Sequence, residues 1–249
     1  MTHEGLTGII FDSLGYRLLG RLFLAAGDGP KPTAVILHGL AGIEQNHDLA
    51  FALRDHGWNA AIFHYRGCWG SAGTYNFSTL PEDVRACLDY LSAGVHPEID
   101  VERIVLIGHS MGGWAAVMAA VDARARAVAT IAPVVRPAEL HFDQTPEVYA
   151  PWLTGLSNET FARQWQALQA DPRSDTTLHA GQIAPRPLLV IHARYDRVVP
   201  VTQGLALYDA SQEPHRVIID EEGNHSFVWR RDWLGQQLLD WLDGLALGG

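Results

Sequence analysis

The chain has 249 residues, 47% hydrophobic and 18% charged, which excludes an intrinsically disordered chain and supplies apolar side chains for a buried core. Acidic side chains number 28 against 18 basic ones, a net charge of −10 with no Lys/Arg run, so nucleic acid is not an expected partner. With no signal-peptide pattern, no apolar stretch of membrane-spanning length and two cysteines, we expect a cytoplasmic protein without a membrane partner. The oligomeric state is not indicated.

Short runs rich in Val, Ile and Leu alternate with longer amphipathic segments, a pattern typical of an α/β protein with a mostly parallel sheet. The opening segment, 7–25, indicates two strands that turn at Leu14 and Gly15 and form an antiparallel edge of the sheet. Apolar runs then predict further strands, the first four of them central and buried on both faces. These runs lie at 33–38, 59–65, 103–109, 127–133, 187–193 and 215–220.

Amphipathic stretches between these runs predict helices on both faces of the sheet. One begins at Pro81-Glu82-Asp83, where a proline and two carboxylates suit a first helical turn, and the last covers 227–245. The interval 136–186 has no strand-like run and predicts a small helical cap, an insertion in a single domain of residues 1–249. Its aromatic side chains either pack a core of their own or line a pocket: Phe142, Tyr149, Trp152, Phe161 and Trp165.

The sequence Gly108-His109-Ser110-Met111-Gly112 lies between a predicted strand and a predicted helix, 114–121, which is the context that the Gly-x-Ser-x-Gly pattern requires. A serine on such a tight turn has strained backbone, and the two glycines allow neighbouring main chains to approach it. The helix N-terminus favours negative charge on a nearby oxygen, so the Met111 N–H is a candidate donor. On the five residues alone, a structural serine in a glycine-rich turn is an equal alternative.

Four further motifs follow the order of the α/β-hydrolase family, which the chain resembles from His38 to His225. His38-Gly39-Leu40 resembles the family's oxyanion loop, which implies the Leu40 N–H as a second donor to an oxyanion. Loop 65–73 is similar to the Arg-Gly-x-Gly-x-Ser-x-Gly loop of many members, with Trp69 where glycine is usual.

The remaining two motifs carry the acid and the base. Asp196-Arg197-Val198-Val199-Pro200 resembles the family's acid loop, and 222–227 resembles the loop of its catalytic histidine. The resemblance therefore implies Ser110 as nucleophile, His225 as general base and Asp196 as the acid that orients the histidine. Each follows the carboxyl end of a predicted strand, and in a parallel sheet those ends meet at one edge.

Other side chains are alternatives for these roles. His38 and His109 could act as the base, although their places beside the oxyanion loop and the serine favour structural roles. Cys68 could be a thiol nucleophile, but no strand-to-helix turn follows it. Three carboxyl groups could replace Asp196, although they lie on or just after the strand that leads into the histidine loop: Asp220, Glu221 and Glu222.

The resemblance implies a serine hydrolase, and the brief aromatic cap favours a carboxylesterase for short-chain or aromatic esters through an acyl-enzyme on Ser110. Trp69, Trp152 and Trp165 are the candidate substrate-binding residues. No phosphate loop, dinucleotide fingerprint or zinc-type histidine cluster is present, so no cofactor and no metal are expected. The alternatives are a peptidase or amidase, since the chain is similar to catalytic domains of prolyl oligopeptidase and acylaminoacyl-peptidase relatives, and a non-catalytic binding protein.

Overall fold

A computed structural model describes residues 4–43, 46–141, 153 and 156–245. These residues form an eight-stranded sheet with the strand order β1-β2-β4-β3-β5-β6-β7-β8. The strands are β1 (Gly5–Ser13), β2 (Tyr16–Leu24), β3 (Lys31–Leu37), β4 (Asn59–Phe63), β5 (Ile99–His109), β6 (Ala125–Ile131), β7 (Leu188–Ala193) and β8 (His215–Asp220). From β4 to β8 all neighbours pair in parallel, whereas the β1–β2 hairpin pairs antiparallel with itself and with β4. The α/β fold and the antiparallel edge predicted from the sequence are confirmed.

Helices cover both faces of the sheet. The described helices are α1 (His47–Asp55), α2 (Leu80–Ser92), α3 (Met111–Ala119), α4 (Asn158–Ala170), α5 (Thr177–Ala180), α6 (Val201–Ala210) and α7 (Arg231–Asp243). Alternate side chains of β3 point to opposite faces, so Val35 and Leu37 join the core under α2 and α3. Ala34 and Ile36 join the second core, under α1 and α7. None of the described helices is long and apolar enough to cross a membrane.

Two helices begin three or four residues away from their predicted starts. Helix α3 begins at Met111, directly after Ser110, instead of at 114. Helix α7 begins at Arg231 instead of at 227, because Phe227 has a φ of 54°, a left-handed conformation that a right-handed helix cannot include. Both changes lie beside the predicted catalytic residues.

The interval between β6 and β7 contains α4 and α5, and its described residues form no strand. On α4, Phe161 and Trp165 pack edge-on against Phe77, with ring centroids 5.5 and 5.4 Å away. At Leu153 a single β-bridge joins the cap to Cys68 in the loop after β4. The other cap aromatics, Phe142, Tyr149 and Trp152, lie outside the described residues.

A buried ion pair fastens the loop after β4 to the rest of the fold. The Asp83 carboxylate on α2 is fully buried and accepts hydrogen bonds from Ser13 Oγ and Arg66 Nε, both at 2.7 Å. It also accepts one from the Arg66 main-chain N–H at 3.0 Å. Burial raises the pKa of Asp83, and these hydrogen bonds oppose that shift only in part. The guanidinium of Arg66 also binds the more exposed Glu82.

We expect Asp83→Asn to lower the free energy of unfolding by about 3 kcal/mol, because it leaves a buried guanidinium without its buried counter-charge. The matched change Glu82→Gln removes an exposed partner of the same Arg66 and should cost less than about 1 kcal/mol. Urea unfolding of the two variants beside the unchanged protein measures both values. Equal decreases in the free energy of unfolding of the two variants would show that the burial of Asp83 adds nothing to the stability that Arg66 gains from its partners.

Candidate active site

Ser110 occupies a sharp turn between β5 and α3. Its φ of 56° and ψ of −120° lie outside the regions that residues other than glycine usually adopt. Main-chain hydrogen bonds hold this conformation: the Ser110 N–H donates to the Ile131 carbonyl at 2.9 Å. The Ser110 carbonyl accepts from Gly113 at 2.9 Å and from Val134 at 3.1 Å. Hydrogen bonds to the end of the neighbouring strand β6, to the residues after it and to the first turn of α3 therefore stabilise the strained backbone of Ser110.

Two glycines allow the main chains around this turn to touch. A Cβ added to Gly108 would lie 2.2 Å from the carbonyl oxygen of Gly112, and one added to Gly112 would lie 2.1 Å from that of Leu37. No side chain fits at either position without moving backbone. The first turn of α3 thus packs directly on the carboxyl end of β3.

The loop after β3 lies against Ser110. A Cβ added to Gly39 would be 3.0 Å from Ser110 Cβ and 3.5 Å from Ser110 Oγ. Leu40 starts a 3₁₀ turn and Met111 starts α3, so the N–H group of each belongs to a helix N-terminus. Among the described residues, neither N–H donates to a main-chain carbonyl. The N–H groups of Leu40 and Met111 therefore remain the candidate donors to a ligand oxygen beside Ser110.

Asp196 and His225 come together from the loops after β7 and β8. The Nδ1–H of His225 donates to Asp196 Oδ2 at 2.7 Å. The other carboxylate oxygen, Oδ1, accepts from the main-chain N–H of Val198 at 2.8 Å and of Val199 at 3.0 Å. Burial by itself raises the pKa of Asp196, but hydrogen bonds from His192 and His225 outweigh it and hold this pKa well below its usual range. The carboxylate is therefore ionised.

The histidine loop is joined to the serine turn through His109. Its Nε2–H donates to the main-chain carbonyl of His225 at 3.0 Å, and the two imidazole centroids are 5.0 Å apart. Burial and the neighbouring His225 lower the pKa of His109 to about 3. Because the ring of His109 is buried and its N–H donates to a carbonyl, the structure favours a structural role for it over that of the base. The same holds for His38, which is buried and whose Nδ1–H donates to the Gly39 carbonyl at 2.8 Å.

The alternative acids and the alternative nucleophile have other partners. Asp220 accepts from Arg230 at 3.0 Å, Glu221 from Arg194 at 3.0 Å, and Glu222 pairs with Arg230 at 3.0 Å. None of these carboxylates bonds to His225 among the described residues. Cys68 is buried, and burial raises the pKa of its thiol well above the usual value, which disfavours a reactive thiolate.

The three tryptophans predicted to bind substrate have different positions. Trp69 is 42% exposed, and its φ of 47° is rare for a bulky residue. Its indole lies beside the 3₁₀ turn Leu40–Gly42 that follows β3: a Cβ added to Gly42 would be 2.7 Å from Trp69 Nε1. Trp165 lies on α4 and is partly buried against Phe77. Trp152 is outside the described residues.

One buried polar side chain at the site was missed from the sequence. His192, on β7, has its Nε2 3.4 Å from Asp196 Oδ2 and has no exposed side-chain surface. The available signal was a polar residue within the otherwise apolar run of β7, which reads LLVIHA. In the part of the chain that the structure describes, no group of three or more His, Cys, Asp or Glu side chains is arranged to hold a metal ion.

Solved structures of other proteins share this fold. The esterase domain of a Rhodothermus marinus protein superposes with a TM-score of 0.72 at 23% identity, covering 98% of this chain and 100% of that one. Est1E from Butyrivibrio proteoclasticus with bound ferulic acid gives a TM-score of 0.76 at 18% identity, covering 95% and 98%. At these identities the likeness concerns the fold.

Sequence comparison extends the similarity to bacterial proteins and to a family. The uncharacterized protein YfhR of Salmonella typhimurium is 27% identical over 199 residues, which cover 78% of this chain and 64% of that protein. The match thus spans less than two thirds of the relative's length. The model of the prolyl oligopeptidase family (Peptidase_S9) matches residues 49–246, most of the chain and all of the segment that holds Ser110, Asp196 and His225. The chain therefore belongs to the prolyl oligopeptidase family and has the α/β-hydrolase fold.

Proposed function

We propose that this serine hydrolase cleaves carboxylic esters, with Ser110 as nucleophile, His225 as general base and Asp196 as the acid that orients the base. The observation that carries the proposal is the 2.7 Å hydrogen bond from His225 Nδ1 to Asp196 Oδ2. It leaves Nε2 as the basic nitrogen of the imidazole. The His109 side chain joins the same histidine loop to the turn that bears Ser110.

In the proposed reaction, His225 Nε2 takes the hydroxyl proton while Ser110 Oγ attacks the ester carbonyl carbon. The carbonyl oxygen becomes an oxyanion and accepts hydrogen bonds from the Leu40 and Met111 N–H groups. When the tetrahedral intermediate collapses, the carbon–oxygen bond to the alcohol breaks and His225 returns the proton to that alcohol. Water, deprotonated by His225, then attacks the acyl-enzyme and releases the carboxylic acid and Ser110.

Short-chain or aromatic acyl groups are the proposed substrates. The cap carries aromatic residues, and Trp69, which stands where glycine is usual in the family's loop resembling 65–73, has its indole beside Gly42. We propose Trp69, Trp152 and Trp165 as walls of the acyl pocket. The ferulic acid bound to Est1E, a fold neighbour, makes hydroxycinnamate esters a useful aromatic test substrate.

Peptide or amide hydrolysis is the second candidate function, and the match to the prolyl oligopeptidase family favours it. The same three residues would cleave an amide by protonating the leaving amine. The chemistry on Ser110 needs neither cofactor nor metal, and the partner proposed is a small ester molecule. The cytoplasmic location and the lack of nucleic-acid and membrane partners stay predictions.

A fluorophosphonate probe should label the unchanged protein on Ser110, because the activated hydroxyl attacks phosphorus as it would attack an acyl carbon. Ser110→Ala should abolish labelling and lower kcat for p-nitrophenyl acetate by about 10⁴-fold or more. Ser78→Ala, which removes an exposed hydroxyl from a surface turn, is the matched control and should keep both properties. Undiminished labelling of Ser110→Ala would contradict the assignment of the nucleophile.

The choice between ester and amide is tested with a substrate panel. We expect kcat/KM to be highest for p-nitrophenyl acetate and butyrate or for a hydroxycinnamate ester, to fall towards the decanoate, and to be undetectable for aminoacyl p-nitroanilides. The reason is that the proposed acyl pocket, with the indole of Trp69 as one wall, would admit a short or flat acyl group better than a long chain. Cleavage of the anilides without cleavage of any ester would favour the peptidase instead.

The pH profile is expected to show one acid limb. Protonation of His225 removes the base, so kcat/KM for p-nitrophenyl acetate should fall about tenfold per pH unit below that limb. A second carboxyl limb should be absent at mildly acidic pH, because hydrogen bonds hold the pKa of Asp196 well below its usual range. Initial rates measured from about pH 4.5 to about pH 9 give this profile, and circular dichroism at each pH is the control for unfolding. A rate that stays flat into mild acid would exclude His225 as the base.

A further inference from the structure

A fully buried histidine lies behind the acid of the proposed triad. His192 is on β7, four residues before Asp196, and its Nε2 is 2.9 Å from the main-chain carbonyl of Val199 and 3.4 Å from Asp196 Oδ2. A carbonyl oxygen can only accept a hydrogen bond, so the hydrogen of the ring lies on Nε2. This N–H therefore donates to the Val199 carbonyl, and the Asp196 carboxylate oxygen lies within 3.4 Å of the same nitrogen.

The carboxylate oxygen that faces His192 is the one that binds the base. Oδ1 of Asp196 is occupied by the N–H groups of Val198 and Val199, and Oδ2 accepts from His225 at 2.7 Å. His192 approaches this same Oδ2. A donor at this place limits rotation of the carboxylate and takes up part of the negative charge on Oδ2.

The opposite side of the His192 ring faces a glycine. Nδ1 is buried without a hydrogen-bond partner among the described residues. A Cβ added to Gly204, on α6, would lie 2.5 Å from this Nδ1. Only glycine at this position leaves room for the imidazole, and within the part of the chain that the structure describes the ring hydrogen-bonds through Nε2. The ring thus packs with its Nδ1 side on Gly204 and its Nε2 side towards the acid loop.

We propose that His192 is a positioning residue of the catalytic triad, whose Nε2–H holds the Asp196 carboxylate with Oδ2 towards His225. This inference rests on the proposed function of Ser110, Asp196 and His225. His192 itself touches no reacting atom. Its effect on catalysis passes through Asp196 to the orientation and basicity of His225.

The pH response of His225 depends on the charged and titratable groups that face it. These are Asp196, His109 through the His225 carbonyl, and Arg231 on α7, which donates to the Ser226 carbonyl at 3.1 Å. Substitution of His192 leaves all three in the chain. A shift of the pH profile in His192 variants therefore reports on the His192–Asp196 contact.

The test compares His192→Leu, which removes the donor, with His192→Gln, whose amide nitrogen can replace Nε2–H. We expect His192→Leu to lower kcat for p-nitrophenyl acetate about tenfold with KM changed less than about twofold. Its acid limb should move up by about half a pH unit or more, because an Oδ2 without this donor stabilises the protonated imidazole better. His192→Gln should recover most of the kcat and the position of the limb.

Two further variants separate positioning from packing. Gly204→Ala keeps His192 but displaces its ring, so it should move the acid limb in the same direction as His192→Leu. His215→Leu makes the matched histidine-to-leucine change on the neighbouring strand β8, where the ring bonds to Ser211 and to no proposed catalytic residue. It should leave kcat and the acid limb unchanged. Thermal unfolding of every variant measures the change in stability.

Substrate-free measurements distinguish failure of this inference from failure of the proposed function. The NMR titration of the His225 ring should shift upward in His192→Leu even if the unchanged protein cleaves no ester, in which case the ester proposal alone fails. A titration and an acid limb that match those of the unchanged protein would overturn the role of His192. The same conclusion follows if the Leu and Gln variants lose equal activity in proportion to their loss of thermal stability.

Discussion

The close packing of the first turn of α3 on the ends of β3 and β5 is the constraint on which the site depends. Gly108 and Gly112 make this contact possible, since a Cβ on either would meet a main-chain carbonyl at 2.2 Å or less. The packing forces Ser110 into a left-handed φ and directs the N-terminus of α3 towards the loop after β3. The strained conformation is stable because both neighbouring chain segments hydrogen-bond to it.

Buried histidines connect the loops that carry the proposed catalytic groups. His109 joins the serine turn to the main chain of His225, and His192 lies between the carboxylate of Asp196 and the carbonyl of Val199. In both cases an imidazole N–H donates to a main-chain carbonyl of a loop that carries a proposed catalytic residue. A sheet whose strands end at one edge places these loops close together, and the histidines then set their relative positions.

The two buried aspartates of the fold show how hydrogen bonding decides the charge of a carboxylate. Burial raises the pKa of both, yet the net shift is upward for Asp83 and downward for Asp196. Asp83 ties the loop of Trp69 to α2 through Arg66, a structural role. At Asp196, donors outweigh burial, which keeps a negative charge beside the imidazole. This charge stabilises the imidazolium that the proposed mechanism requires.

The α/β class, the antiparallel hairpin, the central strands and the serine turn could be predicted from the amino-acid sequence, because each of these follows from periodicity or from residues adjacent in the chain. The contacts around these elements could not be predicted in this way. The contact of His109 with the His225 carbonyl joins residues 116 positions apart, and the glycine that admits the His192 ring lies on another element, α6. The start of α7 likewise depended on the backbone of Phe227. Such contacts join distant parts of the chain in space, so no local pattern of residues encodes them.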